Sequence, residues 1–286
     1  MSTNEPPTGL FRVRLPDGSH RLAAGPATEG PATLLAGNVS LDELLGQRAS
    51  LTVAATDERP PAGAEVVAPV ESQEVWAAGV TYRRSREARA EEATDRTPYD
   101  HVYDADRPEL FHKAAGWRCV GPGAPVGIRA DSSWSVPEPE LALVLDADMR
   151  VAGFTIGNDM SSRSIEGETT LYLPQAKSYD RSCALGPCIV PAEQVELPFA
   201  IRLEIERAGK IVFGEETSTD RMRRTFDELA SWLGMAMGFP HGAVLLTGTG
   251  IVPDPTFSLQ PGDEVRITVP RLGTLANQVV EIGRRP

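Results

Sequence analysis

Three carboxylates in one short stretch of the sequence have the spacing of a metal site. Glu138 and Glu140 are separated by a single residue, and Asp159 ends the apolar segment that follows. Side chains two residues apart in a β-strand project from the same face, so the two glutamates are predicted to lie side by side. Oxygen ligands without cysteine or histidine select a hard cation, Mg²⁺ first, with Mn²⁺ or Ca²⁺ as alternatives. The stretch therefore predicts a site for a divalent cation.

The chain between Glu138 and Asp159 has the pattern of a β-hairpin, with an apolar run on each side of the turn-like segment DADMR. Pairing Asp146 with Val151 leaves a four-residue loop, and the residue numbers of cross-strand partners then sum to 297. This register places Glu138 opposite Asp159. Like charges gathered this closely are costly without protons, a basic partner or a cation. The alternative is that both glutamates lie on a solvated sheet face and that Asp159 caps a turn.

The elements around this hairpin are predicted to be mostly strands. Alternating apolar and polar residues indicate strands over residues 10–15, 141–145, 201–205 and 265–269. One helix is predicted to begin at Ser40, and another spans 225–237 with a capping box of Thr225 and Glu228. The charged run 82–96 predicts a solvated helix. The fold class is therefore α+β and rich in strands.

A change of composition near residue 70 predicts two domains. Residues 1–70 are rich in Ala, Gly, Pro and Thr and form a small α+β N-terminal domain in this interpretation. The segment 57–68 carries turn and breaker residues, so the boundary is placed just after it. Residues 71–286 then form the larger, β-rich domain that carries the carboxylates.

Charge and composition exclude several classes of partner. The 28 basic residues against 40 acidic ones give a net charge of −12, which repels the phosphate backbone of nucleic acids. No run approaches the roughly 20 apolar residues of a membrane span, and the N-terminal residues lack the pattern of a signal peptide. No glycine-rich phosphate loop indicates a nucleotide. We expect a cytoplasmic protein that binds neither nucleic acid nor membrane.

The cysteines and lysines carry further information. Cys119, Cys183 and Cys188 have neither disulfide nor zinc spacing, which favours free thiols. Of the 28 basic residues only Lys113, Lys177 and Lys210 are lysine. Where arginine has replaced lysine almost everywhere, a remaining lysine is a candidate for chemistry that arginine cannot perform.

Several segments resemble the fumarylacetoacetate hydrolase superfamily. They are PEPELALVL, GFTIGNDMSSRSIEGE, LYLPQAKSYDRSCALGP, LLTGTGIV and LGTLANQV. The resemblance covers residues 75–283, and the segments RPELFHKA, SSRSIEGE and LYLPQAK look most like its 2-keto-3-deoxy-D-arabinonate dehydratase branch. It implies a mixed β-roll catalytic domain, a homodimer or higher homo-oligomer, and a divalent metal held by Glu138, Glu140 and Asp159.

The resemblance also implies the residues that act on the substrate. The active-site lysine falls on Lys177, either as a base or as a charged group that stabilises an enolate; the alternative is a surface lysine after a turn. The arginine that follows the aspartate falls on Arg163. Gly248 and Thr249 of the TGT segment are implied to contact a substrate carboxylate or keto oxygen. Glu109 is either a fourth metal ligand or an acid/base, and the alternative is a surface residue at a strand end.

The chemistry implied is that of a small 2-oxo acid whose C3 proton is acidified by the metal. Our first hypothesis is a Mg²⁺-dependent dehydratase of a 2-keto-3-deoxy sugar acid, giving 2,5-dioxopentanoate from the pentonate. The alternatives are a C–C bond hydrolase of an acylpyruvate-like acid and a non-catalytic binding member of the fold. Hydrolases of the superfamily have a water-activating histidine where this sequence has Ser85, which favours the dehydratase unless His101 or His112 supplies the base.

Overall fold

Strands dominate the computed structural model, which describes residues 6–52, 54–85 and 97–284, with the backbone alone for 97–100. The strands are β1 Thr8–Arg14, β2 His20–Pro26, β3 Thr33–Leu34, β4 Glu65–Val67, β5 Glu74–Gly79, β6 Glu109–Ala115, β7 Val126–Arg129, β8 Ser135–Val136, β9 Pro139–Leu145, β10 Val151–Asp159, β11 Ser161–Ser162, β12 Cys183–Pro191, β13 Ala200–Arg207, β14 Lys210–Ser218, β15 Ala243–Leu246, β16 Glu264–Val269 and β17 Gly273–Ile282. The helices are α1 Leu41–Gly46, α2 Thr97–Asp104, α3 Arg163–Glu168, α4 Leu173–Lys177 and α5 Phe226–Gly234. The predicted β-rich class is confirmed.

Two mixed sheets make up the body of the described chain. A ten-stranded sheet has the order β3-β2-β1-β12-β10-β9-β15-β5-β6, with β4 paired to β1. Its strands are antiparallel except for the pair β15 and β5. A five-stranded sheet has the order β14-β13-β16-β17-β7, in which β17 and β7 are parallel. A two-stranded sheet of β8 and β11 lies beside the carboxylates.

The main core lies between the two large sheets. Strand β9 contacts β13, and β10 contacts β16 and β17. Leu141, Leu143 and Leu145 face this core, while Ala142 and Val144 on the other face of β9 are equally buried. Strand β9 is covered on both faces, so its residues are apolar, with Glu140 near its start as the exception. A carboxylate in so buried a strand requires a specific partner.

The β9–β10 hairpin has the predicted register over most of its length. Residues 153–158 pair with residues 139–144 so that the numbers of partners sum to 297. The main-chain N–H of Asp159 continues the ladder by donating to the carbonyl oxygen of Glu138 at 2.9 Å. The predicted placement of Asp159 opposite Glu138 is therefore confirmed.

At the turn the predicted pairing is wrong. Val151 pairs with Leu145 rather than with Asp146, and a bulge restores the register beyond it. The Asp146 carboxylate accepts hydrogen bonds from the main-chain N–H groups of Asp148 (2.8 Å) and Arg150 (3.0 Å). An aspartate that caps its own turn in this way belongs to the loop, so the strand ends one residue earlier than predicted.

The helix predictions are mostly confirmed. Ser40 begins α1 through a capping box with Glu43. The hydroxyl of Thr225 accepts from the N–H of Glu228 at 3.2 Å, and α5 ends at Gly234, three residues before the predicted end. Glycine has low helix propensity, which explains the earlier end. Of the predicted helix 82–96, residues 83–85 are helical and 86–96 lie outside the described residues.

The N-terminal strands extend the large sheet. Strand β1 pairs with β2 and β4, and meets β12 through the pair Leu10 and Ile189. The division of the chain near residue 70 stays a prediction. No described helix combines the length and the apolar character that crossing a membrane requires.

Candidate active site

Three carboxylates meet where β9 begins and β10 ends. Glu138 directly precedes β9, Glu140 lies within it, and Asp159 is the last residue of β10. Their side chains are buried, with residue exposures of 4%, 1% and 1%. One oxygen from each lies within 4.8 Å of the others, which is close enough for a single cation to bind all three. The predicted convergence is confirmed, and the alternative of a solvated sheet face is excluded.

Lys177 ends helix α4 and places its ammonium among these carboxylates. The Nζ atom donates to Glu138 Oε1 (2.8 Å), Asp159 Oδ2 (3.1 Å) and the hydroxyl oxygen of Ser161 (2.6 Å). Ser161 in turn donates to Glu138 Oε1 at 2.7 Å. Lys177 is 2% exposed, so it is not a surface lysine. Two carboxylate oxygens and a hydroxyl oxygen around one nitrogen favour the charged ammonium, which has three N–H groups to donate.

Arg163 begins α3 and lies behind the carboxylates. Its Nη2 atom is 3.3 Å from Glu138 Oε1, and its Nε atom is 3.9 Å from Glu166 Oε2. The side chain is 2% exposed. Arg163 therefore neutralises Glu138 and lies at ion-pair distance from Glu166, whereas its predicted contact with substrate stays a prediction.

The TGT segment after β15 supports the site from the opposite side. Gly248 has φ +88° and its N–H donates to Glu140 Oε2 at 2.5 Å. A Cβ at this position would lie 2.1 Å from Thr81 Oγ1, so both conformation and space require glycine. The Thr249 hydroxyl donates to the carbonyl oxygen of Ile251 at 3.2 Å. Gly248 thus holds a carboxylate, and substrate contact by either residue stays a prediction.

A pocket opens beside the carboxylates. It is lined by Ala78, Gly79, Val80, Ser85, Glu109, Phe111, Glu138, Glu140, Asp159, Glu166, Leu173, Lys177, Gly248 and Thr249. Glu109 begins β6 opposite Gly79, where any Cβ would lie 2.0 Å from Glu109 Oε2. The glycine therefore leaves room for the half-buried Glu109 side chain against the pocket wall. Ser85 is buried, and its hydroxyl donates to the carbonyl oxygen of Tyr82 at 2.7 Å.

No histidine is among the described residues that line this pocket. His112 lies between Phe111 and Lys113 on β6, so strand alternation directs it to the opposite face, where its ring meets Trp76 at 5.7 Å. His101 lies on α2 and is exposed. Neither histidine is placed to act instead of the water-activating histidine that hydrolases of the superfamily have at the position of Ser85.

The electrostatics of Glu140 fit a bound cation. Burial raises its pKa well above the ordinary 4.5, and the charges of Asp159 and Glu138 raise it further, while Lys177 and the N–H of Gly248 oppose the shift. In the described part of the chain Glu140 has no ion pair, although its neighbours have cations beside them. A buried carboxylate of this kind is stabilised by a divalent cation, for which the oxygen donors suit Mg²⁺.

We expect Mg²⁺ binding to release a proton and to weaken as the pH falls. The raised pKa of Glu140 means that its carboxyl keeps a proton in the metal-free protein at pH values where an ordinary glutamate is ionised. The cation must displace that proton, so affinity rises with pH until the raised pKa is passed. Calorimetry in two buffers of different ionisation enthalpy, between about pH 5 and 8, measures the proton release. Heats that do not depend on the buffer anywhere in that range would contradict the assignment.

Two residues of the site were not predicted from the sequence. Glu166 is 5% exposed and lines the pocket, and Ser161 is fully buried between Lys177 and Glu138. Glu166 lies inside the segment SSRSIEGE, whose third residue after Arg163 is a glutamate on the same side of a helix. That spacing was the available signal. Ser161 has no comparable signal, because its role depends on a lysine that approaches from another element.

Two relatives named as sugar-acid dehydratases match three quarters of this chain. A relative from Haloferax volcanii, named a probable 2-keto-3-deoxyxylonate dehydratase, is 51% identical over 216 residues, which are 75% of this chain and 74% of the relative. The 2-dehydro-3-deoxy-D-arabinonate dehydratase of Saccharolobus solfataricus is 42% identical over 220 residues, again 75% of this chain and 74% of the relative.

A solved structure is similar over almost the whole chain. It is a 2-keto-3-deoxy-D-arabinonate dehydratase complexed with magnesium and 2,5-dioxopentanoate, with a TM-score of 0.84, 33% identity, and coverage of 96% of this chain and 99% of that one. The family model described as fumarylacetoacetate (FAA) hydrolase C-terminal matches residues 74–280, which include every candidate site residue. The resemblance read from the motifs is confirmed, and the chain belongs to the fumarylacetoacetate hydrolase family.

Proposed function

We propose that this protein is a Mg²⁺-dependent dehydratase of a 2-keto-3-deoxy sugar acid. The observation that carries the proposal is the buried set of Glu138, Glu140 and Asp159 beside a charged Lys177, in a pocket whose described lining has no histidine. The names of the relatives at 51% and 42% identity support the substrate class. The pentonate, with 2,5-dioxopentanoate as product, is the substrate we infer from the product-bound structure at 33% identity.

The three carboxylates would hold the cation. Bound there, Mg²⁺ supplies Lewis-acid stabilisation of negative charge on the oxygen at C2 of a 2-oxo acid. Lys177 keeps its ammonium charged through Glu138, Asp159 and Ser161, so we assign it to stabilising that developing charge rather than to removing a proton.

Proton transfer falls to the carboxylates of the pocket wall. Glu109 is half-buried there, and the buried Glu166 lies 3.9 Å from Arg163 on another side of the pocket. In the proposed reaction one carboxylate removes a proton from C3, the C3=C4 double bond forms, and the C4 hydroxyl leaves as water with a proton from a carboxyl group. Tautomerisation then gives the C5 aldehyde, so the substrate loses one molecule of water overall. We assign the removal of the C3 proton to Glu109.

Ser85 favours this elimination over hydrolysis. A hydrolase must activate an attacking water, and a serine hydroxyl that already donates to the carbonyl oxygen of Tyr82 is neither basic nor free to do so. Elimination needs no attacking water, so the same pocket remains sufficient for a dehydratase.

We expect turnover of a 2-keto-3-deoxy pentonate that depends on Mg²⁺, with little release of pyruvate from an acylpyruvate. Both substrates are assayed at one enzyme and Mg²⁺ concentration, with a semialdehyde dehydrogenase to detect the aldehyde and lactate dehydrogenase to detect pyruvate. Ser85→His is the matched variant that restores the hydrolase residue. Efficient pyruvate release by the unaltered protein, without aldehyde from the pentonate, would establish the hydrolase instead, and turnover of neither would favour a non-catalytic binding protein.

We also propose that the enzyme works as a homodimer or a higher homo-oligomer in the cytoplasm. Exposed apolar side chains support an assembly: Trp117 is 74% exposed, Leu171 83% and Ile211 52%. Light scattering during size-exclusion chromatography measures the assembly.

The cytoplasmic location is supported by the cysteines, because free thiols at all three of them suit a reducing compartment.

A further inference from the structure

Lys113 is a buried lysine that the proposed chemistry does not use. It lies in β6 with no exposed surface, although the chain has only three lysines. Its Nζ atom donates to the carbonyl oxygen of Met160 at 3.0 Å and to the carbonyl oxygen of Lys177. The same atom forms an ion pair with Asp159 Oδ1 at 2.5 Å. An ammonium removed from water raises the free energy of the folded protein unless its protons and its charge are satisfied, and Lys113 has two carbonyl acceptors and one carboxylate at ion-pair distance.

These contacts join three separate elements. Asp159 ends β10 and Met160 follows it, Lys177 ends α4, and Lys113 reaches both places from β6. The ammonium therefore fixes the main chain of Lys177 relative to a predicted metal ligand. The two oxygens of the Asp159 carboxylate therefore have different neighbours. Oδ1 forms the ion pair with Lys113, and Oδ2 accepts a hydrogen bond from Lys177 at 3.1 Å.

Strand β6 supports Lys177 a second time. Phe111 lies two residues before Lys113 on the same strand. Its ring centroid is 5.7 Å from the Nζ atom of Lys177. Strand β6 thus contacts both the main chain of Lys177, through Lys113, and its ammonium, through Phe111.

We propose that Lys113 is a positioning residue, which sets the place of the Lys177 ammonium and of the Asp159 carboxylate. The inference rests on the proposed function in taking Lys177 as the group that stabilises the enolate. It explains why the position is lysine in a chain rich in arginine. A compact ammonium donates to two carbonyl oxygens and still lies beside the Asp159 carboxylate, whereas a planar guanidinium is larger and does not fit the same space.

Amine labelling of Lys113→Met tests this without any turnover assay. A small amine-acylating reagent followed by peptide mass spectrometry reports each lysine separately, because the chain has so few. We expect Lys177, which is 2% exposed in the native protein, to react at least about 10-fold faster in the variant. The exposed Lys210 is expected to be acylated at an unchanged rate. In a parallel experiment with a thiol-alkylating reagent, the buried thiol of Cys188 in the main core is also expected to react at an unchanged rate.

Steady-state kinetics adds a second readout. We expect Lys113→Met to lower kcat at least about 10-fold with KM changed less than about 3-fold, since ground-state binding does not need the aligned Lys177. Mg²⁺ affinity is expected to be no weaker, because removing a cation beside Asp159 removes a repulsion. Lys210→Met is the matched control and is expected to behave like the unaltered protein.

Three results would overturn the inference: unchanged labelling of Lys177, faster labelling of Cys188 together with Lys177, or a kcat loss that saturating Mg²⁺ restores. The second would show general loosening, and the third an effect through the cation alone. If Lys113→Met does not fold, Lys113→Gln keeps amide donors without the charge and is carried through the same measurements. If the unaltered protein turns over no 2-oxo acid, the proposed function fails, while the labelling still decides the role of Lys113.

Discussion

Lys177→Met is expected to lower kcat for a 2-keto-3-deoxy pentonate at least about 100-fold while Mg²⁺ still binds. Methionine keeps the length and apolar stem of the side chain but removes the ammonium that donates to Glu138 and Asp159. In a buried pocket a positioned charge beside a developing enolate supplies several kcal/mol, which corresponds to about 10²-fold or more in rate. Two carboxylates lose a competing cation, so Mg²⁺ affinity is expected to stay the same or to increase. Stopped-assay kinetics and calorimetry measure the two quantities.

Lys210→Met is the control for this variant, because Lys210 is exposed on β14 and contributes to no part of the pocket. Activity above roughly a tenth of the unaltered protein would be inconsistent with even a modest contribution to catalysis. Loss of Mg²⁺ binding in Lys177→Met would instead show that the lysine organises the carboxylates rather than acting on substrate.

Glu140→Gln is expected to weaken Mg²⁺ binding at least about 100-fold and to remove activity at ordinary Mg²⁺ concentrations. The amide keeps an oxygen that can accept the Gly248 N–H, so the local backbone has no reason to move. What is lost is one negative charge in a set of three ligands, and a buried ligand charge is worth several kcal/mol toward a divalent cation. Glu140 is a cleaner choice than Glu138, whose removal would leave Lys177 and Arg163 without their carboxylate.

The same variant has a second, opposite effect that identifies the site. A carboxyl group whose folded-state pKa is raised destabilises the folded metal-free protein once the pH exceeds the unfolded value of 4.5. Glu140→Gln is therefore expected to keep or raise the thermal midpoint without Mg²⁺, and to lose the rise that Mg²⁺ gives to the unaltered protein. Glu215→Gln, on the exposed face of β14, is the control. Equal Mg²⁺ stabilisation in both variants would remove Glu140 from the ligand set.

The carboxylate convergence shows why local pattern was sufficient for part of the site. Alternation within β9 and a short turn to β10 place Glu138, Glu140 and Asp159 on one hairpin, where register alone determines their separation. The error at Asp146 shifted the turn by one residue, but the bulge absorbed that shift before the functional end of the strands. Local rules therefore predicted the convergence of the three carboxylates correctly although one turn was wrong.

Other parts of the site depend on elements far apart in the sequence. Lys113 was noted only as one of three lysines, and Glu166 was not noted as a site residue. Both reach the carboxylates through tertiary packing, since β6 and α3 approach the hairpin from different sides. Residue type and spacing predict which groups are capable of chemistry, but they do not predict which groups meet across such distances.

By itself the sequence determined the β-rich class, the family, the three carboxylates and the candidate lysine, because each of these depends on residue identity, period-two alternation or one hairpin register. Only the tertiary structure decided what surrounds them. It placed Lys177 on two carboxylates, directed the N–H of Gly248 to Glu140, and turned His112 away from the pocket. The physical reason is that burial and neighbouring charges, which raise the pKa of Glu140, are properties of contacts between segments and not of any segment alone.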